Sequence, residues 1–350
     1  MALQDITTAL LGWYDKNKRD LPWRKTAGEY AVVVSEMMLQ QTRVDTVVPY
    51  YNAFMARFPD VFCLARADEA DVLHAWQGLG YYRRARNLHK MARTVARNGG
   101  VFPSDYKGWL ALPGVGPYIA GAVMSIAQGA AQPAVDGNVL RVIARLDANR
   151  DDISLGATRK KTEARVLALM PPGSTGDFTQ ALMELGALVC TQSPRCDMCP
   201  LAAQCRAYQS GVVDAIPVKT PKAKPVTVYL WAGVLRCNEC VLLVKRQGDG
   251  LLAGMWGVPV VEKQRGQSAR AQIAGALGRQ MPEGKEIGKV THVFTHRRWE
   301  MDVVCFNFEE PLDMGDDAAW VRFDEMNEKA IPAAFKKVLR KVKERGVKDE

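Results

Sequence analysis

The sequence predicts an all-α domain followed by an α+β domain, and three observations support that fold class. Up to about residue 215, apolar residues recur with the period of a helix, and no segment alternates convincingly as a strand does. Residues 216–225 are rich in proline and lysine, which favours an extended, solvated linker. From residue 226 onwards, β-branched and aromatic runs between turn residues predict strands. We therefore place the domains at residues 1–215 and 226–350, joined by the linker 216–225.

Composition and charge limit the class of protein. The 350 residues suffice for two hydrophobic cores. Forty-seven basic residues against 38 acidic ones give a net charge of +9, which permits an anionic partner without identifying one. No apolar run reaches 18 residues, and residues 1–16 space their apolar side chains helically. We expect neither a membrane span nor a secretory signal, and hence a cytoplasmic protein.

A basic segment without acidic residues lies between Asp71 and Asp105, next to Gly80-Tyr81-Tyr82. Basic side chains beside paired aromatics and a glycine fit phosphate contact combined with stacking or wedging. A solvated helix face would carry the same charges, so charge alone does not decide between the two interpretations. The basic residues concerned are Arg83, Arg84, Arg86, Lys90, Arg93 and Arg97.

Residues 112–116, Leu-Pro-Gly-Val-Gly, predict a tight hairpin between two helices. Proline interrupts helical hydrogen bonding, while Gly114 and Gly116 permit positive φ and let another molecule approach the backbone. Pro117 suits the first turn of a helix that we expect to run from Tyr118 to Ala131. The free N–H groups and positive dipole end of that helix suit a phosphate. The pattern favours binding of a nucleic-acid backbone over an ordinary connection between helices.

A single carboxylate interrupts the apolar helix predicted at residues 31–42. Glu36 has apolar residues three and four positions before it and one, two and three positions after it. Burial disfavours the ionised form, so the pKa of Glu36 should be raised. A glutamic acid that is protonated at neutral pH can serve as a general acid. An exposed position on the rim of the helix is the competing interpretation.

Asp136 supports the opposite prediction about protonation. It precedes Gly137-Asn138 at an expected helix N-cap, where amide donors hold a carboxylate ionised. Most aspartates at such positions are only caps. Two carboxylates in opposite protonation states, however, are the arrangement that cleaves a glycosidic bond through an oxocarbenium-like transition state. Glu36 would protonate the leaving group, and Asp136 would face the positive charge that develops on the sugar.

A loop with four of the eight cysteines spans residues 190–205. These four residues are Cys190, Cys196, Cys199 and Cys205, separated by five, two and five residues. In an intracellular protein such a cluster indicates metal ligation rather than disulfides, and spacing alone does not exclude zinc. Cys237 and Cys240 also have ligand spacing, but they fall at a predicted hairpin tip, and we interpret them as reduced thiols.

The second domain is predicted to contain both strands and helices. The expected strands are residues 226–235, 241–245, 290–294, 301–308 and 319–323, and the expected helices are residues 269–280 and 333–344.

Together these motifs resemble the helix-hairpin-helix DNA glycosylase superfamily, and within it the adenine DNA glycosylases of the MutY family. The likeness covers nearly the whole chain. It is carried by residues 21–24 (Leu-Pro-Trp-Arg), 35–42, 78–82, 112–116, 136–138 and 178–181. The resemblance implies an enzyme that hydrolyses the bond between adenine and deoxyribose where adenine is mispaired with 8-oxoguanine or guanine in double-stranded DNA. Such a step starts base excision repair, and we expect a monomer.

The resemblance also implies the roles of individual residues. Glu36 would protonate adenine and Asp136 would stabilise the sugar cation or its covalent adduct. The residues that would assist them are Tyr118 and Asn138. The residues that would surround the extruded adenine are Trp23, Arg24 and Gln180, and those that would wedge into the base stack are Gln41 and Tyr81. The four cysteines would hold one 4Fe-4S cluster.

Position 118 separates two classes of relative. In bifunctional glycosylases that resemble endonuclease III, a lysine follows the hairpin and attacks the sugar as a Schiff-base nucleophile. This chain has Tyr118, and a phenol cannot form an imine. We therefore expect base removal by water rather than the endonuclease III-like lyase acting on oxidised pyrimidines. A non-catalytic protein that uses the hairpin and cluster only to dock on DNA is a further alternative.

The second domain resembles the Nudix-like domain that recognises 8-oxoguanine in this family, through residues 251–259 and 291–296. A Nudix hydrolase needs a helix rich in glutamate to hold divalent metal, but no carboxylate lies between Glu262 and Glu283. The resemblance therefore implies lesion recognition instead of nucleotide hydrolysis. The residues implied are Phe294 for stacking, Thr295 for hydrogen bonding to a base edge and His296 for a phosphate. From the residues alone, Phe294 would be interpreted as a core aromatic.

Two positions depart from the family pattern. The first two cluster cysteines have one residue fewer between them than the family usually shows, so residues 191–195 must close more tightly. Thr295 stands where the family commonly has serine, which keeps the hydroxyl and adds a methyl group.

Overall fold

The structure is a computed structural model that describes residues 3–26, 28–221, 224–247 and 250–346. It divides into two compact units, the first comprising Met1–Asp68 and Arg83–Pro221 and the second comprising Glu69–Tyr82 and Lys222–Glu350. The boundary at residues 221/222 falls inside the segment predicted as a linker. Parts of the predicted domains and linker, at residues 1–2, 222–223 and 347–350, lie outside the described residues. That residues 69–82 group with the second unit was not predicted from the sequence.

The chain up to residue 221 is helical throughout its regular structure. Its α-helices are α1 (Leu3–Asn17), α2 (Glu29–Leu39), α3 (Val44–Arg57), α4 (Val61–Arg66), α5 (Glu69–Ala75), α6 (Arg83–Arg97), α7 (Tyr106–Ala111), α8 (Pro117–Ile126), α9 (Gly137–Leu146), α10 (Gly156–Leu169), α11 (Thr175–Leu188) and α12 (Arg206–Gln209).

A core shared by α1, α9 and α11 organises the first unit. Leu10 and Tyr14 of α1 pack with Val139 of α9 and with Phe178 and Leu182 of α11, and all five are essentially inaccessible to solvent. Because apolar side chains at helical spacing occupy one face of each helix, burying those faces fixes the positions of the helices. Helices α9 and α11 therefore stand beside each other, and α8 also packs against α11.

The second unit is built on a mixed sheet with one helix on each face. Its elements are β1 (Val226–Cys237), β2 (Cys240–Lys245), β3 (Trp256–Gly257), β4 (Val260–Glu262), α13 (Ala269–Leu277), β5 (Gly284–Val293), β6 (Arg297–Phe308), β7 (Ala318–Arg322) and α14 (Ala333–Gly346). The sheet order is β3-β2-β1-β6-β5, with β4 paired to β1 and β7 to β2. Strands β1 and β6 are parallel, and the other pairs are antiparallel.

Helices α13 and α14 cover opposite faces of this sheet. Phe335 and Val338 of α14 lie in one apolar cluster with Met301 of β6, while Ile273 of α13 lies in another with Phe306. Alternate residues of a strand point to opposite faces, so a single strand can supply both clusters. The segment that precedes α6 belongs to the same unit, since the Gln77 amide donates to two backbone carbonyls just before α14.

The fold class is confirmed, with differences at the level of elements. Each predicted strand and helix of the second unit is present, and the short strands β3 and β4 were missed. The helix expected from Tyr118 to Ala131 begins at Pro117 but ends at Ile126, five residues early. In the described part of the chain, no helix has the length and apolar character needed to cross a bilayer.

Candidate active site

Glu36 lies in the middle of α2, where every residue from Ala31 to Met38 is buried. Its side chain is among these, with the residue only 5% exposed. Burial raises the pKa of Glu36 to about 7, a hydrogen bond from Tyr118 opposes this, and the charge of Asp136 adds to it. The predicted burial is therefore present, and Glu36 holds a proton through part of the neutral pH range.

Tyr118 is the direct partner of Glu36. Pro117 occupies the first turn of α8, which places the following residue beside α2. The Tyr118 hydroxyl donates to Glu36 Oε2 at 2.5 Å and also lies 3.9 Å from Met183 Sδ of α11. Burial, together with the charges of Glu36 and Asp136, raises the pKa of Tyr118 well above its ordinary value. The phenol therefore remains a hydrogen-bond donor.

Asp136 is the N-cap of α9, as predicted. Its Oδ1 accepts from the Val139 amide at 2.7 Å, and its Oδ2 accepts from Asn138 Nδ2 at 2.8 Å. These donors favour the ionised form, as expected, but they do not set the direction of the net pKa shift. Burial raises the pKa of Asp136, and the amides of Val139 and Asn138 together with the charge of Arg141 offset this only in part. The charge of Asp136 raises the pKa of Glu36, so the two carboxylates lie within electrostatic range of each other.

Two glycines, one on α8 and one on α11, allow these helices to pack closely against the backbone around Asp136. A Cβ on Gly121 of α8 would lie 2.1 Å from the carbonyl oxygen of Pro133. A Cβ on Gly186 of α11 would lie 2.6 Å from the Cβ of Asn138. Real Cβ atoms do not approach so closely, so both positions need glycine for the chain before α9 to lie between α8 and α11.

Asn138 is in turn held by Arg141, which sequence reasoning did not select. Arg141 Nη2 donates to Asn138 Oδ1 at 2.9 Å and to the carbonyl of Gly186 at 2.8 Å, and its Nε donates to the carbonyl of Cys190 at 2.8 Å. One guanidinium thus connects the start of the cysteine loop with the residue that hydrogen-bonds Asp136.

The residues predicted to surround the base are partly brought together. Arg24 Nε donates to Gln180 Oε1 at 3.1 Å, and Arg24 Nη2 donates to Glu184 Oε2 at 2.9 Å. Trp23 is buried and packs edge-on against Tyr51, with ring centroids 5.4 Å apart. Arg24 lies close enough to Glu36 that its charge lowers the pKa of that residue. The guanidinium group of Arg24, which is hydrogen-bonded to the amide of Gln180, therefore lies near Glu36.

Glu184 is a further member of this group that sequence reasoning missed. It is 1% exposed and is hydrogen-bonded to the guanidinium groups of both Arg19 and Arg24. These bonds outweigh burial and lower the pKa of Glu184 to about 2. A signal was available, because Glu184, like Glu36, is a carboxylate within a largely apolar helix.

Gln41 is exposed and has φ of 60°, in the left-handed region. It follows the end of α2, where Arg84 Nη1 donates to the carbonyls of Met37 and Met38 at 2.8 Å each. Arg84 is therefore buried, and its inclusion in a phosphate-binding face was wrong. Of the other basic residues on α6, Arg83, Lys90, Arg93 and Arg97 are exposed.

The hairpin between α7 and α8 contains two glycines whose backbone conformations differ. Gly114 has φ of 78° and would bring a Cβ within 2.5 Å of the Asn87 Cβ, so glycine is required there. Gly116 has φ of −101°, so only Gly114 uses the positive φ that both glycines permit. No described atom lies within 4 Å of a Cβ added to Gly116, and no described side chain caps α8 there. The surface above this helix end is open to an incoming group.

The four loop cysteines are free thiols. Burial raises the pKa of Cys199 to about 11, and the nearby thiols of Cys190, Cys205 and Cys196 add to this. Arg145 Nη1 donates to Cys190 Sγ at 3.4 Å, which places a cation beside the group. Within the described ranges, no three histidine, cysteine or carboxylate side chains are arranged to hold a single metal ion.

The predicted lesion-contacting residues of the second unit lie at the turn between β5 and β6. Phe294 is half-buried and packs edge-on against His292 and Trp299, at centroid distances of 4.5 and 4.9 Å. Thr295 and His296 are exposed. The Thr295 hydroxyl lies 3.1 Å from that of Tyr81, which is 47% exposed and has φ of 49°. These two hydroxyls form a polar pair on the surface of the second unit.

Comparisons with known proteins agree with this geometry. Residues 34–172 match the HhH-GPD superfamily of base excision DNA repair proteins, and residues 230–341 match the NUDIX domain. The chain is 35% identical to the adenine DNA glycosylase of Homo sapiens, over 95% of this chain and 73% of that protein. It is 35% identical to the Rattus norvegicus enzyme, over 95% and 76%. The chain belongs to the adenine DNA glycosylase family.

Other members and solved structures extend the likeness. The Arabidopsis thaliana adenine DNA glycosylase is 37% identical over 84% of this chain, which spans 56% of that longer protein. A thermostable thymine-DNA glycosylase matches 59% of this chain and 97% of its own, with 28% identity and a TM-score of 0.55. A trapped endonuclease III–DNA intermediate covers 60% of this chain at 21% identity and a TM-score of 0.51, which shows a shared helical fold.

Proposed function

We propose that this chain removes adenine mispaired with 8-oxoguanine or guanine from double-stranded DNA by hydrolysis of its glycosidic bond. The observation that supports the proposal is the buried Glu36, which accepts a hydrogen bond from Tyr118 and whose pKa is raised by burial to about 7. Family membership supports the substrate base, because the relatives are named adenine DNA glycosylases.

The residues divide the reaction between them. Glu36 donates its proton to a ring nitrogen of adenine as the bond between the base and C1′ breaks, and the electron pair of that bond leaves with the base. Positive charge then develops on the sugar, where the carboxylate of Asp136 stabilises it. Asn138 orients Asp136 through its hydrogen bond at 2.8 Å. Water adds to C1′, and a carboxylate takes its surplus proton.

Strand cleavage is not part of the proposed reaction. A lyase needs an amine that attacks C1′ and forms an imine, and residue 118 is a tyrosine whose phenol donates to Glu36. The product is therefore an abasic site in an intact strand. An endonuclease III-like lyase activity is disfavoured for the same reason.

Duplex binding and lesion selection use different parts of the chain. The base must leave the stack before its bond can be cut, and a mispaired base costs less to extrude. The open end of α8 at Gly116 suits a phosphate, and Gln41 and Tyr81 are exposed residues suited to fill the stack. Phe294, Thr295 and His296 are proposed to contact the 8-oxoguanine strand. The expected monomeric state and cytoplasmic location stay predictions.

The cysteine loop suits a 4Fe-4S cluster. Four thiols match the donor set of such a cluster, and the Arg145 guanidinium beside Cys190 suits its negative charge. Burial and the neighbouring cysteines raise the pKa of Cys196, Cys199 and Cys205. Cys190, Cys196, Cys199 and Cys205 would hold it. When bound, a 4Fe-4S cluster would carry electrons and would cross-link the cysteine loop. Arg141 connects this loop to Asn138.

The test is base release from matched duplexes. Adenine opposite 8-oxoguanine, guanine or thymine is incubated with the protein, and each sample is divided for analysis with and without hot alkali. We expect release opposite 8-oxoguanine and guanine, with breaks that appear only after alkali. Breaks without alkali would contradict the hydrolytic mechanism, and no release from any duplex would contradict the function.

A further inference from the structure

In the C-terminal part of the second unit, the excess positive charge is concentrated on helix α14. Residues 222–332 contain 15 basic and 15 acidic residues, so their formal charges cancel. Residues 333–346, which form α14, contain six basic residues and one acidic residue, a net charge of +5. A charge collected on one helix creates a local positive potential. The basic residues of α14 are Lys336, Lys337, Arg340, Lys341, Lys343 and Arg345.

One face of α14 is fixed in the core, and the opposite face is exposed. Phe335 and Val338 are fully buried in the apolar cluster beneath the helix. Lys336, Arg340 and Lys343 are exposed. Their spacing of four and three residues aligns them in one stripe along the helix, about 10 Å long at about 1.5 Å per residue. The packing of the buried face therefore holds three cations in a row towards solvent.

Two other lysines of the helix have a structural role. The ammonium groups of Lys337 and Lys341 donate to the carbonyls of Thr291 and Lys289, at 3.4 and 3.0 Å. These carbonyls belong to β5, the strand at one edge of the sheet, and the outer backbone groups of an edge strand need cover. Covering the sheet edge accounts for these two lysines and leaves the exposed stripe to be explained.

Stability of the helix does not account for the stripe. Cations are favoured in the last turn of a helix, where Lys343 lies, because the carbonyl end is partly negative. Lys336 lies in the first turn, which has no acidic residue, and there the dipole disfavours a cation. Arg340 pairs with Glu344 at 3.7 Å, but both side chains are mostly exposed, and such a pair contributes little.

We infer that the stripe of Lys336, Arg340 and Lys343 binds phosphates of double-stranded DNA, whether or not a lesion is present. The inference rests on the proposed function, which brings a polyanion to this chain. Basic side chains along one helix fit the DNA backbone, and about 10 Å covers three successive nucleotides at about 3.4 Å each. Phosphate contacts carry no information about the bases. The stripe therefore adds affinity for undamaged duplex, separately from the turn at residues 294–296.

The composition of this face favours DNA over an acidic protein surface. Protein–protein interfaces have a desolvated centre in which aromatic and other large apolar side chains provide most of the binding energy. Among the described side chains of α14, no large apolar one is exposed. A face made of cations alone suits a partner that presents phosphates alone.

The experiment measures the salt dependence of binding to an undamaged duplex by fluorescence anisotropy, for the wild-type chain and for Lys336→Gln/Lys343→Gln. Each lost phosphate contact makes the plot of log Kobs against the logarithm of the KCl concentration less steep by about 0.9. The double variant should therefore lose about 1.8 of the slope, and its affinity at about 0.1 M KCl should fall about tenfold. Lys336→Arg/Lys343→Arg keeps both charges and should retain the wild-type slope.

Arg265→Gln/Arg279→Gln is the matched control. It removes two exposed cations that flank α13, which covers the opposite face of the sheet, and it should keep the wild-type slope. The ratio of adenine release opposite 8-oxoguanine to release opposite guanine should be the same in every variant, because the stripe contacts only phosphates. An unchanged slope in Lys336→Gln/Lys343→Gln, an equal loss in the control or an altered ratio in the α14 variant would overturn the inference.

Failure of the proposed function would give a different result. A wild-type chain that binds duplex with a slope dependent on α14 but releases no adenine would contradict the proposed function, and the stripe would still be a DNA-binding surface.

Discussion

Two opposing influences, burial and a hydrogen bond from Tyr118, set the pKa of Glu36. This residue lies within a run of eight consecutive buried residues of α2, and removal from water favours the neutral acid. The Tyr118 hydroxyl acts in the other direction, since a donor stabilises the carboxylate. The resulting pKa of about 7 lies near neutral pH, where a general acid is both protonated and able to give up its proton.

Replacement of this acid should separate catalysis from binding. Glu36→Gln keeps the shape of the side chain and removes its ionisable proton, so adenine release should fall by at least about a hundredfold. Duplex affinity, measured by fluorescence anisotropy, should stay near wild type. Glu29→Gln in the first turn of the same helix is the matched control and should remain active. Release by Glu36→Gln at the wild-type rate would show that another group supplies the proton.

The rate should depend on pH with a known sign. Glu36 works in its protonated form, so kcat should decrease as pH rises through about 7, the pKa of this residue. Tyr118→Phe removes the hydrogen bond that lowers this pKa. The decrease should therefore shift to higher pH in Tyr118→Phe, as measured by single-turnover rates between pH 5 and 9. A shift to lower pH would contradict the assigned role of the phenol.

Residue-level prediction from sequence succeeded where the cause was local. The neighbours of Glu36 within one helical turn were enough to indicate its burial. The direction of the Asp136 pKa was wrong because burial there comes from α8 and α11, which approach through Gly121 and Gly186. The apolar helix around Glu184 could have indicated its burial, but its pairing with Arg19, 165 residues away in sequence, could not be predicted.

At the scale of elements, the C-terminal end of α2 determines where the exposed turn at Gln41 begins. The last carbonyls of a helix have no partner within it. Arg84 of α6 donates to the carbonyls of Met37 and Met38 and, through Nη2, to the Thr42 hydroxyl at 3.2 Å. One buried guanidinium thus caps the helix that contains Glu36 and closes the turn that follows it.

Removing that cap should destabilise the first unit. Arg84→Met preserves much of the side-chain volume but leaves buried carbonyls without their donor, at a cost of about 2–4 kcal/mol in the free energy of unfolding. Urea unfolding followed by tryptophan fluorescence measures this difference. Arg97→Met, an exposed position on the same helix, should change the stability by less than about 0.5 kcal/mol. Equal stabilities for both variants would rule out the capping role.

Elements were predicted well where periodicity was long. The strands of the second unit and helix α14 were visible as patterns, whereas β3 and β4 have two and three residues and leave no periodic signal. The end of α8 was misplaced because alanine and glutamine after Ile126 suit a helix. The chain leaves the helix there, as the Ala130 amide instead donates to the Met124 carbonyl at 2.8 Å.

At the scale of the whole molecule, each unit has its own set of residues with a proposed function. Glu36, Tyr118 and Asp136 all belong to the first unit, and the Phe294–His296 turn belongs to the second. The sequence placed the boundary in the linker at residues 216–225, because prolines and lysines mark a linker, and the division at 221/222 lies within it. It did not show that residues 69–82 group with the second unit, since the buried side chains of α5 have the same helical spacing as those of its neighbours.

Because the two sets of residues belong to different units, we expect that the preference for 8-oxoguanine over guanine can change while adenine release is retained. Thr295 carries an exposed hydroxyl at the turn between β5 and β6, and Thr295→Ala removes the group proposed to hydrogen-bond 8-oxoguanine. Because one such bond contributes about 1 kcal/mol, preference for 8-oxoguanine over guanine opposite adenine should fall roughly fivefold. The rate opposite guanine should not change, because Glu36 and Asp136 are untouched.

Single-turnover rates on the two duplexes measure this preference directly. Thr227→Ala removes another exposed threonine hydroxyl from the same unit, on β1, and should preserve the wild-type ratio. If Thr295→Ala slowed both duplexes equally, the turn would act on catalysis in general and not on the lesion. If it changed neither rate, recognition of 8-oxoguanine would depend on other residues. Phe294 would then be interpreted as a core aromatic that packs against His292 and Trp299.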